Sequence, residues 1–315
     1  MKLSYPPAHR SNFVETLHEV EIPDPYRWME DIDSAEVRSW VEAQNQLTQD
    51  YLATLPHRDQ IKNRMTELWN YEKFGVPSKH AARYFYSYND GLANQDRLYW
   101  QESLESQPFC LLDPNKLSED GTVALSGEAV SHNGCYLAYG LSEAGSDWQE
   151  WYVREVDSGK DLTDHIRWVK FSGASWDKDD QGFYYSRYAQ PSEEERLSKA
   201  NYDQKLYYHR LGTNQEEDLL VYERPDHKEW GFYGHVTEDG RYLVITVSVG
   251  TQDEVAIFYK DLFNPNNEVV ELLPDFDSEY QFIGNESTIF YFMTTKAAPK
   301  RRVVAVDINK PAEEA

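Results

Sequence analysis

Two hydrophobic rhythms divide this chain. In the first 74 residues apolar side chains recur at helical spacing. Val37, Trp40, Val41, Gln44, Leu47 and Tyr51 fall on one stripe, behind a possible cap at Asp33 or Ser34 with Glu36 near the start. The spacing predicts a helix of roughly 18 residues. Pro56 breaks it, and Ile61, Met65, Leu68 and Trp69 set out a second helical stripe. Ahead of both, Pro23-Asp24-Pro25-Tyr26-Arg27-Trp28-Met29-Glu30 reads as an extended lead-in with a turn.

From residue 75 the rhythm shortens to two. Aromatic and β-branched runs alternate with turn residues, as in Tyr84-Phe85-Tyr86-Ser87-Tyr88, Phe183-Tyr184-Tyr185 and Tyr242-Leu243-Val244-Ile245. The runs form a repeat with a turn, an aromatic strand, a loop and a further strand. The turns are Ser131-His132-Asn133-Gly134, the stretch 177–182, Thr237-Glu238-Asp239-Gly240 and Gly284-Asn285-Glu286-Ser287. Gly134, Gly182 and Gly240 stand 48 and 58 residues apart. A period near 50 with about four strands per unit predicts a β-propeller, with an irregular β-sandwich as the alternative. Five units are legible, the first over 75–128 and the fifth from about 279. The last reads short, ending at Asp307-Ile308-Asn309-Lys310 before a polar tail, 311–315. A ring must join its last blade to its first, so the expectation is a truncated chain with unpaired edges.

The fold class expected is therefore mostly β. A helical segment, 1–74, precedes an incomplete propeller, 75–315, with about five blades present.

Composition narrows the function. Hydrophobic residues make up 40% of the 315, enough for a sizeable core. Fifty-five acids against 31 bases give a formal charge of −24. That argues against a general nucleic-acid binder and against an anionic membrane surface. No run approaches the ~18 apolar residues of a membrane span. Residues 1–7 hold no apolar run, so no secretory signal is read there. A cytoplasmic setting is the expectation, with a periplasmic one left open. Cys110 and Cys135 are too few for a disulfide framework or a cysteine-based zinc site, and Cys135 reads as a buried small hydrophobe.

The motifs of common chemistries are missing. No Gly-x-Ser-x-Gly elbow and no phosphate loop occurs. Ser172-Gly173-Ala174-Ser175-Trp176 has the wrong spacing and reads as a loop between blades. The nine histidines make no metal pair, and His227 and His235 read as surface or turn positions. Asp177-Lys178-Asp179-Asp180-Gln181-Gly182 resembles the start of a calcium loop, but Tyr188 stands at its twelfth position, so a hairpin turn is expected. Gly145-Ser146-Asp147-Trp148 reads either as an ordinary turn or as an exposed contact for a partner. No cofactor and no metal are expected.

Several spaced stretches resemble the N-terminal half of the prolyl oligopeptidase family of serine peptidases. They include Pro23-Asp24-Pro25-Tyr26-Arg27-Trp28-Met29-Glu30-Asp31, Val41-Glu42-Ala43-Gln44-Asn45, Leu112-Asp113-Pro114-Asn115, Ala138-Tyr139-Gly140-Leu141-Ser142, Gly145-Ser146-Asp147-Trp148, Val169-Lys170-Phe171-Ser172 and Gln204-Lys205-Leu206-Tyr207-Tyr208-His209. The resemblance implies a seven-bladed propeller covering an α/β-hydrolase domain that follows it. The first ~70 residues would wrap onto that hydrolase portion. It implies cleavage of short peptides after proline by a Ser-Asp-His triad in the C-terminal portion. This chain stops before that portion, so it carries over no catalytic residue and is expected to be inactive alone.

The resemblance also assigns positions on the propeller. Phe171 matches an aromatic facing the substrate cavity. Asp147 matches an acid at the boundary with the hydrolase portion. Ser248 and Thr251 match further positions lining that cavity, where the family can carry an arginine and a cysteine, and Gly231 one where the family can carry a larger apolar residue. The implied partners are short proline-containing peptides and the C-terminal hydrolase portion, in a protein monomeric when complete. Two alternatives stay open: a non-catalytic propeller that binds a peptide or protein, and an oligopeptidase of the same architecture cutting after basic residues.

Overall fold

The computed structural model describes residues 3–192, 200–264 and 266–310. The polar tail, 311–315, lies outside them. The chain divides into two units, Met1–Tyr71 and Glu72–Ala315.

The first unit begins with a hairpin, β1 (Val14–Leu17) and β2 (Val20–Pro23), turning on His18 and Glu19 at φ of 50° and 66°. Helix α1 (Ala35–Ala53) follows, and the Ser34 hydroxyl accepts from the Val37 N–H at 3.2 Å to cap it. Trp28 packs edge-on to Trp40 and face-on to His9. Helix α2 (Arg58–Trp69) carries the second stripe, and none of its residues is buried. Ile61, Met65, Leu68 and Trp69 are all more than half exposed. Twelve residues alone are too few for a stable helix in water, so this stripe calls for a cover.

The second unit is a series of antiparallel sheets, each one blade. Its first sheet starts earlier than the change in pattern suggests. Lys73 and Phe74 pair with Asn89 and Tyr88, and the Gly75 N–H continues along the same partner to Ser87 O at 2.8 Å, in a close approach where a Cβ would stand 2.5 Å from Ser87 Oγ. That sheet contains β3 (Lys73–Phe74), β4 (Ser78–His80), β5 (Arg83–Asn89), β6 (Arg97–Gln101) and β7 (Phe109–Leu112). The second holds β8 (Val123–Val130), β9 (Tyr136–Glu143), β10 (Gln149–Glu155) and β11 (Asp161–Val169). The third holds β12 (Ser175–Trp176), β13 (Gly182–Arg187), β14 (Lys205–Arg210) and β15 (Leu219–Tyr222). The fourth holds β16 (Trp230–Val236), β17 (Tyr242–Val249), β18 (Ala256–Asp261) and β19 (Val270–Leu273). The fifth holds β20 (Tyr280–Glu286), β21 (Ile289–Thr294) and β22 (Arg302–Asp307).

The core lies between the sheets. Along β17, Leu243 and Ile245 pack toward the third sheet, while Tyr242 and Val244 pack toward the fifth. Along β13, Phe183 and Tyr185 face the second sheet and Tyr184 the fourth. Successive side chains point to opposite faces of a strand, so a strand covered on both faces reads as an unbroken apolar run. Phe85, Leu98 and Leu112 meet Leu137 and Tyr139 in the same way between the first two sheets. Gly127 and Gly140 pair across β8 and β9, and the Trp151 indole lies over them. A Cβ at Gly140 would sit 2.6 Å from that ring.

Three sequence expectations need correction. Cys135 is half exposed, because it leaves the turn at Gly134 before strand burial begins. Ser175 and Trp176 form a strand rather than a loop, and the Trp176 indole N–H donates to Ala129 O at 2.9 Å. The first turn of the fifth sheet falls at Ser287, φ 58°, because a bulge keeps Gly284 and Asn285 within β20. His235 sits on β16 with its side chain exposed, the surface position expected of it.

Antiparallel pairing sorts the connections between two ends of the sheets. At one end lie the turns between first and second strands, and side chains lace each to the next. Arg83 donates to Gly134 O at 2.9 Å. Asp180, 5% exposed, accepts from the His132 and Asn133 N–H groups, both at 2.8 Å. Lys178 reaches Glu238 O at 2.6 Å, and the Asn285 amide donates to Asp239 at 2.9 Å. The acidic stretch 177–182 is thus a hairpin turn, and its most buried carboxylate serves the neighbouring blade.

A second tie is buried between the second and third sheets. His209, fully buried, sets Nδ1 2.7 Å from Asp218 and Nε2 2.9 Å from Asp164. A neutral imidazole offers one N–H, so only the imidazolium satisfies both carboxylates. Burial opposes that charge, but the hydrogen bonds and negative charges of Asp164 and Asp218 outweigh it and raise the His209 pKa to about 9. Burial would raise the Asp164 carboxyl, but His209 and the Gly212 N–H hold it below its usual range.

Two predictions follow from these ties. Asp180→Ala strands two backbone N–H groups and should cost roughly 1–3 kcal/mol in denaturant unfolding. An unchanged midpoint would show that the turns do not depend on it. His209 holds its proton more tightly folded than unfolded, so its contribution is full below pH 6.5 and lost as pH rises through about 9. That contribution is on the order of 3 kcal/mol. Stability should fall between pH 7 and 10 in the wild type, and His209→Gln should be less stable at pH 7 with a flatter profile. Parallel profiles would contradict the assignment.

Candidate functional site

The opposite end of the sheets holds the connections between second and third strands and those from one sheet to the next. Asp147, Phe171, Ser248 and Thr251 all lie there. The β9–β10 turn passes through Ala144 and Gly145 at φ of 49° and 74° and leaves Asp147 exposed. Trp148 follows, edge-on to Trp168 at 5.9 Å and to Tyr188 at 6.2 Å.

The β11–β12 connection carries Phe171. Between Gln149 and Trp151 the register with β11 slips by one residue, and Trp168 occupies the bulge at φ 62°. Phe171 also lies in the left-handed region, at φ 52°, and is 59% exposed. Two bulky residues held there within four positions carry roughly 1–3 kcal/mol of strain each. Between them Lys170 places Nζ 4.4 Å from the Trp148 ring and 6.0 Å from the Phe171 ring. Its ammonium also bonds Asn201 at 3.2 Å. Trp148, Lys170 and Phe171 thus form an aromatic shelf around a cation, with Phe171 exposed and Trp148 and Lys170 half-buried.

Ser248 lies on β17 opposite Gly231 of β16. A Cβ at Gly231 would stand 3.1 Å from Ser248 Oγ and 3.3 Å from Gln204 Oε1. Gln204 joins this edge to the Phe171 loop, donating to Lys170 O at 2.9 Å and accepting from the Phe232 N–H at 2.6 Å. A second meeting lies beside it, where a Cβ on Gly173 would stand 2.9 Å from the Tyr233 hydroxyl. Contacts through Trp148, Lys170 and the buried Gln204 thus link the turn that carries Asp147 to the Phe171 loop and the edge that carries Ser248. Thr251 lies past Gly250, φ 56°, exposed on the turn, with no contact joining it to the others among the described residues.

Lys170 and Gln204 escaped the sequence reading as site residues, while Trp148 entered it only as part of the turn 145–148. A lysine between Val169 and Phe171 has no periodic signature, and Gln204 acts on groups 34 and 28 residues away. Among the described residues, histidine rings bond carboxylates, as in His209, His132 and His165, and none bonds a serine, threonine or cysteine side chain. No cluster of metal-ligating side chains occurs among them. A polar recess lies elsewhere, at the rim by Tyr222 and Val269, where Arg224 is already paired with Asp226 and Glu271.

Helices followed by five propeller blades, with one laced end and one aromatic end, define a β-propeller-type domain. Comparison with known proteins gives its lineage. The family model described as "Prolyl oligopeptidase, N-terminal beta-propeller domain" matches residues 6–315. A prolyl endopeptidase of Elizabethkingia meningoseptica is 36% identical over 312 residues, covering 99% of this chain and 44% of its own length. Prolyl oligopeptidase A of Amanita bisporigera is 35% identical, covering 98% and 45%. The solved structure of prolyl oligopeptidase B from Galerina marginata, bound to a 25-residue macrocyclization substrate, superposes with a TM-score of 0.83 at 28% identity, covering 98% of this chain and 46% of that one. The chain belongs to the prolyl oligopeptidase family and spans a little under half the length of these relatives.

The strain at Phe171 is testable. Phe171→Gly removes the penalty at φ 52° together with a ring that is mostly in water. Thermal stability should stay level or rise, by up to about 1 kcal/mol. A clear loss would mean that the ring carries packing.

Proposed function

We propose that this chain is the propeller-bearing part of a serine endopeptidase that cleaves short peptides after proline. The observation that carries the reading is the family match over residues 6–315, joined to relatives that act as prolyl peptidases. The triad would lie in the C-terminal portion, where a serine assisted by histidine attacks the carbonyl after proline. This chain's part is exclusion and positioning. Its blades would admit peptides and reject folded proteins, and its aromatic end would face the reacting peptide. Phe171 and Ser248 would line the peptide's side of that end, with Thr251 at its edge. Asp147 would meet a basic group across the boundary. The exposed side chains of Ile61, Met65 and Leu68 on α2 support the same reading, since the C-terminal portion would supply an apolar cover for them. Two unpaired cysteines suit a reducing cytoplasmic setting, and the complete protein would act as a monomer.

The intact gene product should hydrolyse a reporter peptide carrying proline before the scissile bond, and the 315-residue chain alone should not. The bare chain should also bind an apolar dye that the intact product does not. Cleavage only after lysine or arginine would move the protein to the basic-specific branch. No cleavage by either would leave a binding propeller in its place.

A further inference from the structure

Gln204 is 3% exposed, yet it lies on no regular element and its side chain touches two distant segments. Its amide donates to the carbonyl of Lys170, 34 residues back, and accepts from the N–H of Phe232, 28 residues ahead. The partners fix its orientation, since a backbone carbonyl only accepts and a backbone N–H only donates. Neither bond belongs to a sheet ladder.

The Lys170 carbonyl belongs to the peptide plane that precedes Phe171. Holding that oxygen holds the plane, and the plane sets φ at Phe171, here 52°. Left-handed backbone in a phenylalanine persists only where its surroundings over-determine it. Gln204 supplies that constraint from inside the fold and anchors it to β16. Gly231 belongs to the same arrangement. With Ser248 Oγ 3.1 Å and Gln204 Oε1 3.3 Å from where its Cβ would be, a larger residue there would crowd the glutamine. The small residues at 231 and 248 leave the room that Gln204 uses.

We infer that Gln204 is a positioning residue for peptide binding, which clasps the Lys170 carbonyl to β16 and so fixes the aromatic Phe171 against the peptide. This rests on the reading of the aromatic end as the peptide-facing side. It adds a determinant that touches no substrate.

Two variants test it in the intact gene product. Gln204→Glu keeps the shape and the acceptor for Phe232 but sets an oxygen against the Lys170 carbonyl. Gln204→Leu removes both bonds. Each should raise KM for a proline-containing reporter roughly tenfold, the effect of one buried hydrogen bond, with kcat per titrated active site nearly unchanged. In a Phe171→Ala background neither should add a further penalty. Additive penalties, or an unchanged KM for Gln204→Glu, would overturn the inference.

Amide exchange separates failure of the clasp from failure of the peptidase reading. The Ser186 N–H donates to Ser172 Oγ at 2.8 Å and the Tyr188 N–H to Trp168 O at 3.0 Å, so both report the loop. Gln204→Glu should speed exchange at Ser186 and Tyr188 while Phe232 stays protected, and Gln204→Leu should speed all three. Unchanged exchange would refute the clasp whatever the activity. Altered exchange in a protein that cleaves no proline peptide would keep the clasp and discard the peptide-positioning role.

Discussion

Burial on both faces of the inner sheets is the constraint from which the rest follows. A strand such as β17 gives alternate residues to two different cores, so no sheet completes its packing alone. The sheets must stack in series, and their connections must gather at two ends. One end is tied by Arg83, Asp180, Lys178 and Asn285, each reaching the turn of a neighbouring blade. The other end carries the aromatic shelf, the bulge at Trp168 and the left-handed backbone of Phe171. Rigidity concentrated at one end leaves the other to present side chains, the usual division between a scaffold and the loops it positions.

The periodic parts of this architecture were legible in the sequence. The stripe from Val37 to Tyr51 is α1, and the turn-strand units near fifty residues are the blades. What failed lacked period or acted over distance. Ser175 and Trp176 make a strand too short to alternate, and Cys135 stands at the rim of a turn where burial has not begun. Lys73 and Phe74 join the first sheet through a break at Gly75 that no pattern marks. His209 looks like one polar residue within an aromatic strand. Only folding brings Asp164 from 45 residues away onto one nitrogen, opposite Asp218 on the other.

The candidate site shows the same limit. An exposed phenylalanine in a loop carries no signal of its own, and Phe171 came forward only through family resemblance. Gln204 remained hidden because its two partners are backbone groups, which the identities of neighbouring residues do not reveal. The substitutions noted at Gly231 and Ser248 gain sense once Gln204 is seen beside them. The small residues there are the space into which a buried amide fits.

The central claim is that the aromatic end, and not the laced end, faces the peptide. A proline-containing peptide bearing a photoreactive group, cross-linked to the intact gene product and mapped by mass spectrometry, tests it most directly. The account predicts attachment within the connections that carry Trp148, Phe171 and Ser248. Attachment at the turns of His132, Asp180 and Asp239, or at the rim recess beside Arg224, would contradict it.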